Sequence, residues 1–131
     1  MIQAMPFLFA YGTLRRESDA PMARLLRSQS RWIGTAQARG LLYRLDGYPG
    51  FVPTIDGPVV TGDIFAMRDP DETLALLDDY EECAARFPQP HEYRRELIAV
   101  RLGEGHVDAW TYIYAWPVDA AAIIATGDYL A

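Results

Sequence analysis

From Pro6 to Tyr11 the chain is apolar without interruption, and Gly12 ends the run. A short unbroken apolar stretch closed by glycine predicts a strand buried on both faces. Asp19 to Ser28 places Met22, Leu25 and Leu26 at helical spacing, with Asp19 as the expected N-cap and Pro21 in the first turn. Trp32 to Leu45 is rich in β-forming residues and carries Gly34 and Gly40, which predicts strands. Tyr48-Pro49-Gly50 reads as a turn, and Val59 to Met67 as another strand. Two further strands are expected at Tyr93 to Leu102 and Val107 to Ala115, separated by Gly103-Glu104-Gly105. After Asp119 a short alanine–isoleucine stretch predicts one or two helical turns stopped at Gly127. No repeat or low-complexity linker interrupts the chain. Strands outnumber helices and long crossovers are few, so the expected fold class is α+β: one domain over residues 1–131, with a mostly antiparallel, barrel-like sheet.

Asp69-Pro70-Asp71-Glu72 is the sharpest local signal. Asp69 suits the N-cap, Pro70 the first helical position and Glu72 the third, which predicts a helix from Pro70 to about Cys83. Projected at 100° per residue with Leu74 at the origin, Asp78 at about 40° begins a polar arc. Leu76 at about 200°, Tyr80 at about 240° and Leu77 at about 300° make the apolar arc. Glu81 falls at about 340°, between Leu77 and Leu74, as the one acid on the apolar side. A carboxylate there must be paired, hydrogen-bonded or protonated. Desolvation raises its pKa and turns a glutamate into a base usable near neutral pH. The alternatives are an ion pair with an arginine such as Arg95, or a position beyond the frayed helix end. Glu82 points about 100° away, so the two acids do not form a side-by-side pair.

Composition narrows the chemistry. Half of the 131 residues are hydrophobic and 23% are charged, enough for a packed core. The formal charge of −6 argues against a duplex nucleic-acid binder, and the twelve basic residues, all arginine, form no patch. The single cysteine, Cys83, excludes an internal disulfide and a multi-cysteine metal site. His91 and His106 lack ligand spacing, so no metal is expected. No apolar run approaches the ~20 residues of a membrane span. Met1 to Gly12 lacks the basic start and cleavage pattern of a signal peptide, which predicts a cytoplasmic protein.

A substrate site is expected where the first strand ends, at Tyr11-Gly12-Thr13-Leu14. Gly12 permits close approach of a ligand to the backbone, the following amides can converge on an anion, and Thr13 adds a hydroxyl; a plain turn is the simpler alternative. Arg15 and Arg16 either attract an anionic ligand or are solvated surface charge. Tyr48-Pro49-Gly50-Phe51 either lines a pocket or turns the chain. Tyr93 and Arg95 share one strand face, as do Tyr112 and Tyr114, where aromatic core packing competes with a role in the pocket wall. Cys83 reads as a small buried residue.

In this order, these residues resemble the gamma-glutamylcyclotransferase-like superfamily, and within it the gamma-glutamylamine cyclotransferase and AIG2-like branch. The similarity covers nearly the whole chain. Phe9-Ala10-Tyr11-Gly12-Thr13-Leu14 resembles the family's Tyr-Gly-Ser/Thr-Leu loop. Gly40-Leu41-Leu42-Tyr43, Tyr48-Pro49-Gly50 and Val60-Thr61-Gly62-Asp63-Ile64-Phe65 follow in the family's sequence of elements. Leu77-Asp78-Asp79-Tyr80-Glu81 is similar to its Leu-Asp-x-x-Glu, Tyr93-Arg94-Arg95 to its Tyr-x-Arg, and Gly127-Asp128-Tyr129 to its terminal Gly-Asp-aromatic element.

The resemblance implies a compact β-barrel flanked by helices, no metal or organic cofactor, and Glu81 as the catalytic glutamate. It also implies that the Tyr11–Leu14 loop grips a gamma-glutamyl head, mainly through main-chain amides; Tyr48 and Tyr93 complete the expected substrate site. The expected reaction converts a gamma-glutamyl amide to 5-oxoproline and a free amine. Because the substrate's own α-amine attacks, no enzymic nucleophile is required. A cyclotransferase that unmasks a gamma-glutamyl-protected biosynthetic intermediate and a non-catalytic binding module of the same fold are the rival expectations. Two residues depart from the family pattern: Glu82 stands where glycine is usual, which bears on the rim of the site, and Asp63 replaces a glutamate.

Overall fold

A computed structural model of the chain describes residues 5–130. Residues 1–4, within the expected domain and its opening segment, and Ala131 lie outside them. The elements run β1 (Phe7–Ala10), α1 (Pro21–Gln29), β2 (Ser30–Arg44), β3 (Pro49–Pro53), β4 (Val59–Met67), α2 (Pro70–Tyr80), β5 (Tyr93–Leu102) and β6 (Gly105–Tyr114), then a 3-10 turn at Ala120–Ala122.

Five strands close into a barrel in the order β1, β4, β2, β3, β6 and back to β1. Three of its pairings are antiparallel, β1 with β4, β4 with β2 and β2 with β3. The ring closes through two short parallel contacts, Phe51 opposite Ile113 and Leu8 opposite Trp110. β5 lies outside the ring, paired along its length with β6 and touching β2 at Gln37 opposite Arg101. The fold is therefore α+β, a small mixed and mostly antiparallel barrel flanked by helices.

β1 places its alternate residues in two separate cores, as period-two geometry requires. Phe9 and Tyr11 pack with Phe51, Ile64, Val60 and Val100 in one cluster. Leu8 and Ala10 pack in the other with Leu26 of α1, Leu74 and Leu77 of α2, and Phe65. β1 is buried on both faces for this reason, and its C-terminal end delivers Tyr11 and Gly12 to the junction of the two cores.

Three expectations shift. Ala20, not Asp19, is the N-cap of α1, and it makes no side-chain cap; the Ala20 N–H donates to Ser18 Oγ at 3.1 Å instead. Tyr48-Pro49-Gly50 is not the turn. The chain reverses one step earlier, where the Leu45 N–H donates to the Tyr48 carbonyl at 2.8 Å and Gly47 adopts φ +82°. Pro49 then opens β3, a position where its missing N–H does no harm. Finally, α2 buries a narrower stripe than its projection suggests: Thr73, Leu74 and Leu77 are buried, while Leu76 and Tyr80 are 39% and 41% exposed.

Candidate active site

α2 begins as expected, with the Glu72 N–H donating to Asp69 Oδ1 at 3.2 Å and Pro70 in the first turn. It ends at Tyr80, three residues before the expected stop. The Cys83 N–H reaches back to the Asp78 carbonyl at 3.0 Å and the Glu82 N–H to the Asp79 carbonyl at 3.2 Å. These paired reverse bonds form a Schellman motif, which requires a left-handed residue just past the cap. Glu82 occupies that position at φ +55°. This explains why a glycine is the easier residue there. Glu81 is thus the C-cap rather than a helical residue. Because its φ of −82° stays close to helical, its side chain still leaves on the face shared by Leu74 and Leu77.

Glu81 lines a pocket of about 430 Å³. Its wall contains every expected site residue: Glu81, Tyr11, Gly12, Thr13, Leu14, Tyr48 and Tyr93. Glu92, Glu82, Tyr80, Pro49 and Tyr112 join them. Of the two alternatives for Glu81, the arginine pair fails, and the position past the helix end is met without loss of burial. Arg95 does not pair with it: Nε and Nη2 of Arg95 donate to Asp78 Oδ1 and Oδ2 at 2.8 and 3.1 Å. Nor does the end of the helix release Glu81 into solvent. The residue is half-buried, and its carboxyl makes no hydrogen bond or ion pair with the other described residues. Burial, and secondarily the nearby Glu92 carboxylate, push its pKa from 4.5 up to about 7.

The surrounding tyrosines are held firmly. The Tyr93 hydroxyl donates to the Pro49 carbonyl at 2.7 Å, and the Tyr112 hydroxyl to Asp78 Oδ1 at 2.8 Å. The Tyr48 hydroxyl donates to Glu92 Oε2 at 2.6 Å. Burial, with Glu81 beside it, pushes the Tyr11 phenol far up; Tyr93 and Tyr112 rise chiefly through burial too. These phenols stay protonated through the physiological range, which leaves Glu81 as the pocket group that titrates near neutral pH. The Cys83 thiol, half-buried and beside Asp78, is pushed up to about 11 mainly by burial, so it is no thiolate nucleophile.

The loop after β1, which lines the same pocket as Glu81, is braced from behind. Asp63 of β4 is 4% exposed and accepts from the Arg16 N–H at 2.9 Å, from Arg15 Nε at 3.1 Å and from Trp32 Nε1 at 3.1 Å. Arg15 Nη1 donates to Asp128 Oδ1 at 2.7 Å. Arg15 is accordingly neither a surface charge nor an anion attractor: it is 7% exposed and committed to two carboxylates. Arg16 is exposed and stacks over Trp32 with its Cζ 4.0 Å from the ring centroid. Within the turn the Arg15 N–H donates to the Gly12 carbonyl at 3.0 Å. The N–H groups of Gly12, Thr13 and Leu14 find no acceptor among the described residues. Consecutive main-chain donors without an internal acceptor, on residues that line a pocket, are available to an anion. Gly12 also has a packing reason. A Cβ there would lie 2.3 Å from Pro49 Cγ, so the glycine admits the opposite wall of the pocket.

Asp78 falls in the Leu-Asp-x-x-Glu stretch, but its helical phase does not point to the site, and Glu92 carries no sequence signal. Asp78 projects to the edge of the polar arc, yet it is half-buried because Arg95 and Tyr112 reach it from β5 and β6. Glu92 lies in the irregular segment before β5, where no periodicity operates.

Known proteins are similar to this chain in sequence and in fold. Residues 8–131 match the family described as gamma-glutamyl cyclotransferase, AIG2-like. The gamma-glutamylcyclotransferase family protein YtfP of Escherichia coli strain K12 is 34% identical over 130 residues, covering 94% of this chain and 95% of the relative. The gamma-L-glutamyl-butirosin B gamma-glutamyl cyclotransferase of Niallia circulans is 29% identical over 114 residues, covering 84% and 67%. Among solved structures, an AIG2-like protein from Mus musculus superposes with a TM-score of 0.68 at 24% identity, over 92% of this chain and 83% of that one. YkqA from Bacillus subtilis superposes with a TM-score of 0.70 at 23% identity, and this chain spans 39% of that longer protein. Matched along nearly its entire length in sequence and in fold, the chain belongs to the AIG2-like gamma-glutamyl cyclotransferase family.

Proposed function

We propose that this protein is a cytoplasmic cyclotransferase that converts gamma-glutamyl amides to 5-oxoproline and free amine, with Glu81 as the acid/base group. The supporting observation is the Glu81 carboxyl, unpaired on the pocket wall with a pKa near 7, opposite a loop with three free main-chain donors. The substrate's α-ammonium loses a proton to the Glu81 carboxylate, and the neutral nitrogen attacks the γ-carbonyl carbon. As the tetrahedral intermediate collapses, the carbon–nitrogen bond to the leaving amine breaks and Glu81 returns its proton to that nitrogen; the second proton, shed by the attacking nitrogen as it becomes the lactam N–H, also goes to the departing amine, which leaves as its ammonium. Transfers of this kind contribute on the order of 10²–10⁴-fold. Because attack is intramolecular, the pocket mainly has to fold the donor so that its amine meets its carbonyl. The amides of Gly12, Thr13 and Leu14 serve the anionic part of the donor, with Tyr11, Tyr48 and Tyr93 shaping the walls.

No side chain in this scheme acts as a covalent nucleophile, consistent with the high Cys83 pKa. The test is incubation with gamma-glutamyl-ε-lysine, simple gamma-glutamyl amines, gamma-glutamyl dipeptides and glutathione, with mass-spectrometric detection of 5-oxoproline. Release of 5-oxoproline with stoichiometric amine is the expected result. No product from any donor would overturn the reading in favour of a binding module.

A further inference from the structure

We propose that the mouth of this pocket selects donors whose released amine carries a second, unreacting positive charge, seated by Glu82 and Glu92 with Tyr48 and Tyr80 beside them. This rests on the reading above and specifies the half of the donor that it leaves open.

The pocket is graded along its depth. Phe9, Ala10 and Tyr11 are buried at its base, whereas Glu82 and Tyr80 are exposed, so the released portion of a donor lies against the latter. The charges there are of one sign. Besides Glu81, two carboxylates line the wall and no arginine or histidine does. The chain contains no lysine, and the nearby cations are turned away: Arg15 is held by Asp63 and Asp128, and Arg95 by Asp78. The carboxylates are therefore left for a ligand to neutralise. Tyr48 fixes Glu92 through Oε2, and the Tyr114 hydroxyl also reaches the Glu92 carboxylate, so tyrosines hold it in place without neutralising its charge. Tyrosine faces beside a carboxylate favour an ammonium electrostatically, since the ring face is negative. The same wall repels a donor whose released portion bears a carboxylate, as an amino acid does. Glu82 makes the selection a property of this chain rather than of the fold, because the helix termination it occupies favours glycine.

The test compares three donors of similar reach: gamma-glutamyl-(5-aminopentyl)amide, gamma-glutamyl-pentylamide and gamma-glutamylglycine. The readouts are kcat/KM for the native enzyme and, by calorimetry, Kd for E81Q, which reports binding without turnover. The aminopentyl donor is expected to exceed the pentyl donor by about tenfold in both readouts, and glycine to fall below it, as charge contacts at a partly solvated mouth allow. E82Q and E92Q each lower the aminopentyl-to-pentyl ratio several-fold, and raising salt from about 20 to about 500 mM lowers it in the native protein. Equal values for the two amines, or a ratio untouched by both substitutions, overturn the proposal. Absence of 5-oxoproline from every donor overturns the cyclotransferase reading alone; the Kd ratio then still decides charge selection.

Discussion

At the scale of single residues, the chemistry turns on how Glu81 is kept available. A buried carboxyl with a cationic partner is ionised and inert; one without a partner holds its proton to higher pH. Here Asp78, one helical turn earlier, takes Arg95, and Glu81 is left to the pocket. Activity should therefore rise with pH through a limb near 7, as Glu81 becomes the carboxylate that accepts the proton. E92Q removes a charge that raises Glu81 and should move that limb to lower pH; an unmoved limb would separate Glu92 from the base. The same shift has a stability consequence. Between pH 4.5 and about 7 the folded protein retains a proton that the unfolded chain has lost, so folding stability falls as pH rises across that window. E81Q removes this loss. It should be more stable than the native protein at pH 8 by about 1–3 kcal/mol, and no more stable below pH 4.5, in denaturant titrations.

Among the elements, the end of α2 and the loop after β1 define the site. Glu82 holds a left-handed conformation that glycine adopts at less cost. E82G should raise stability by about 1 kcal/mol in a thermal or denaturant melt; a loss would show that the Glu82 side chain stabilises the fold. The loop depends on Asp63. D63A leaves the Arg15 guanidinium buried beside a single remaining carboxylate and should cost about 3–5 kcal/mol. D128A, which removes a partner that is 30% exposed, should cost well under half as much. Equal losses would contradict the assignment of Asp63 as the main brace. Most of this was legible in the residues. β1, β4 and β5 follow from apolar runs and their glycine or turn boundaries, and the Asp69–Glu72 signal marks the start of α2. Its end was not legible, because a Schellman stop usually announces itself through glycine and here carries glutamate.

For the molecule as a whole, the site lies where distant segments converge, and this sets the limit of what one-dimensional patterns reveal. Helical phase places Glu81 near Leu74 and Leu77 because those residues share one element. Arg15, Asp63 and Asp128 meet across the fold, so Arg15 resembles a surface charge in sequence while β4 and the tail enclose it. The tail itself is anchored where the Thr61 N–H donates to the Gly127 carbonyl at 2.8 Å, with Gly127 at φ +68°. Pro49 likewise faces Gly12 only once β3 has joined the barrel. The loop after β1 and the α2 terminus thus line one pocket although they are far apart in the chain. The most direct measurement is turnover and donor affinity of E81Q beside the native enzyme. A fall in kcat of at least about 100-fold, with Kd changed less than about threefold, is the predicted result. Undiminished turnover in E81Q would contradict the account at its centre.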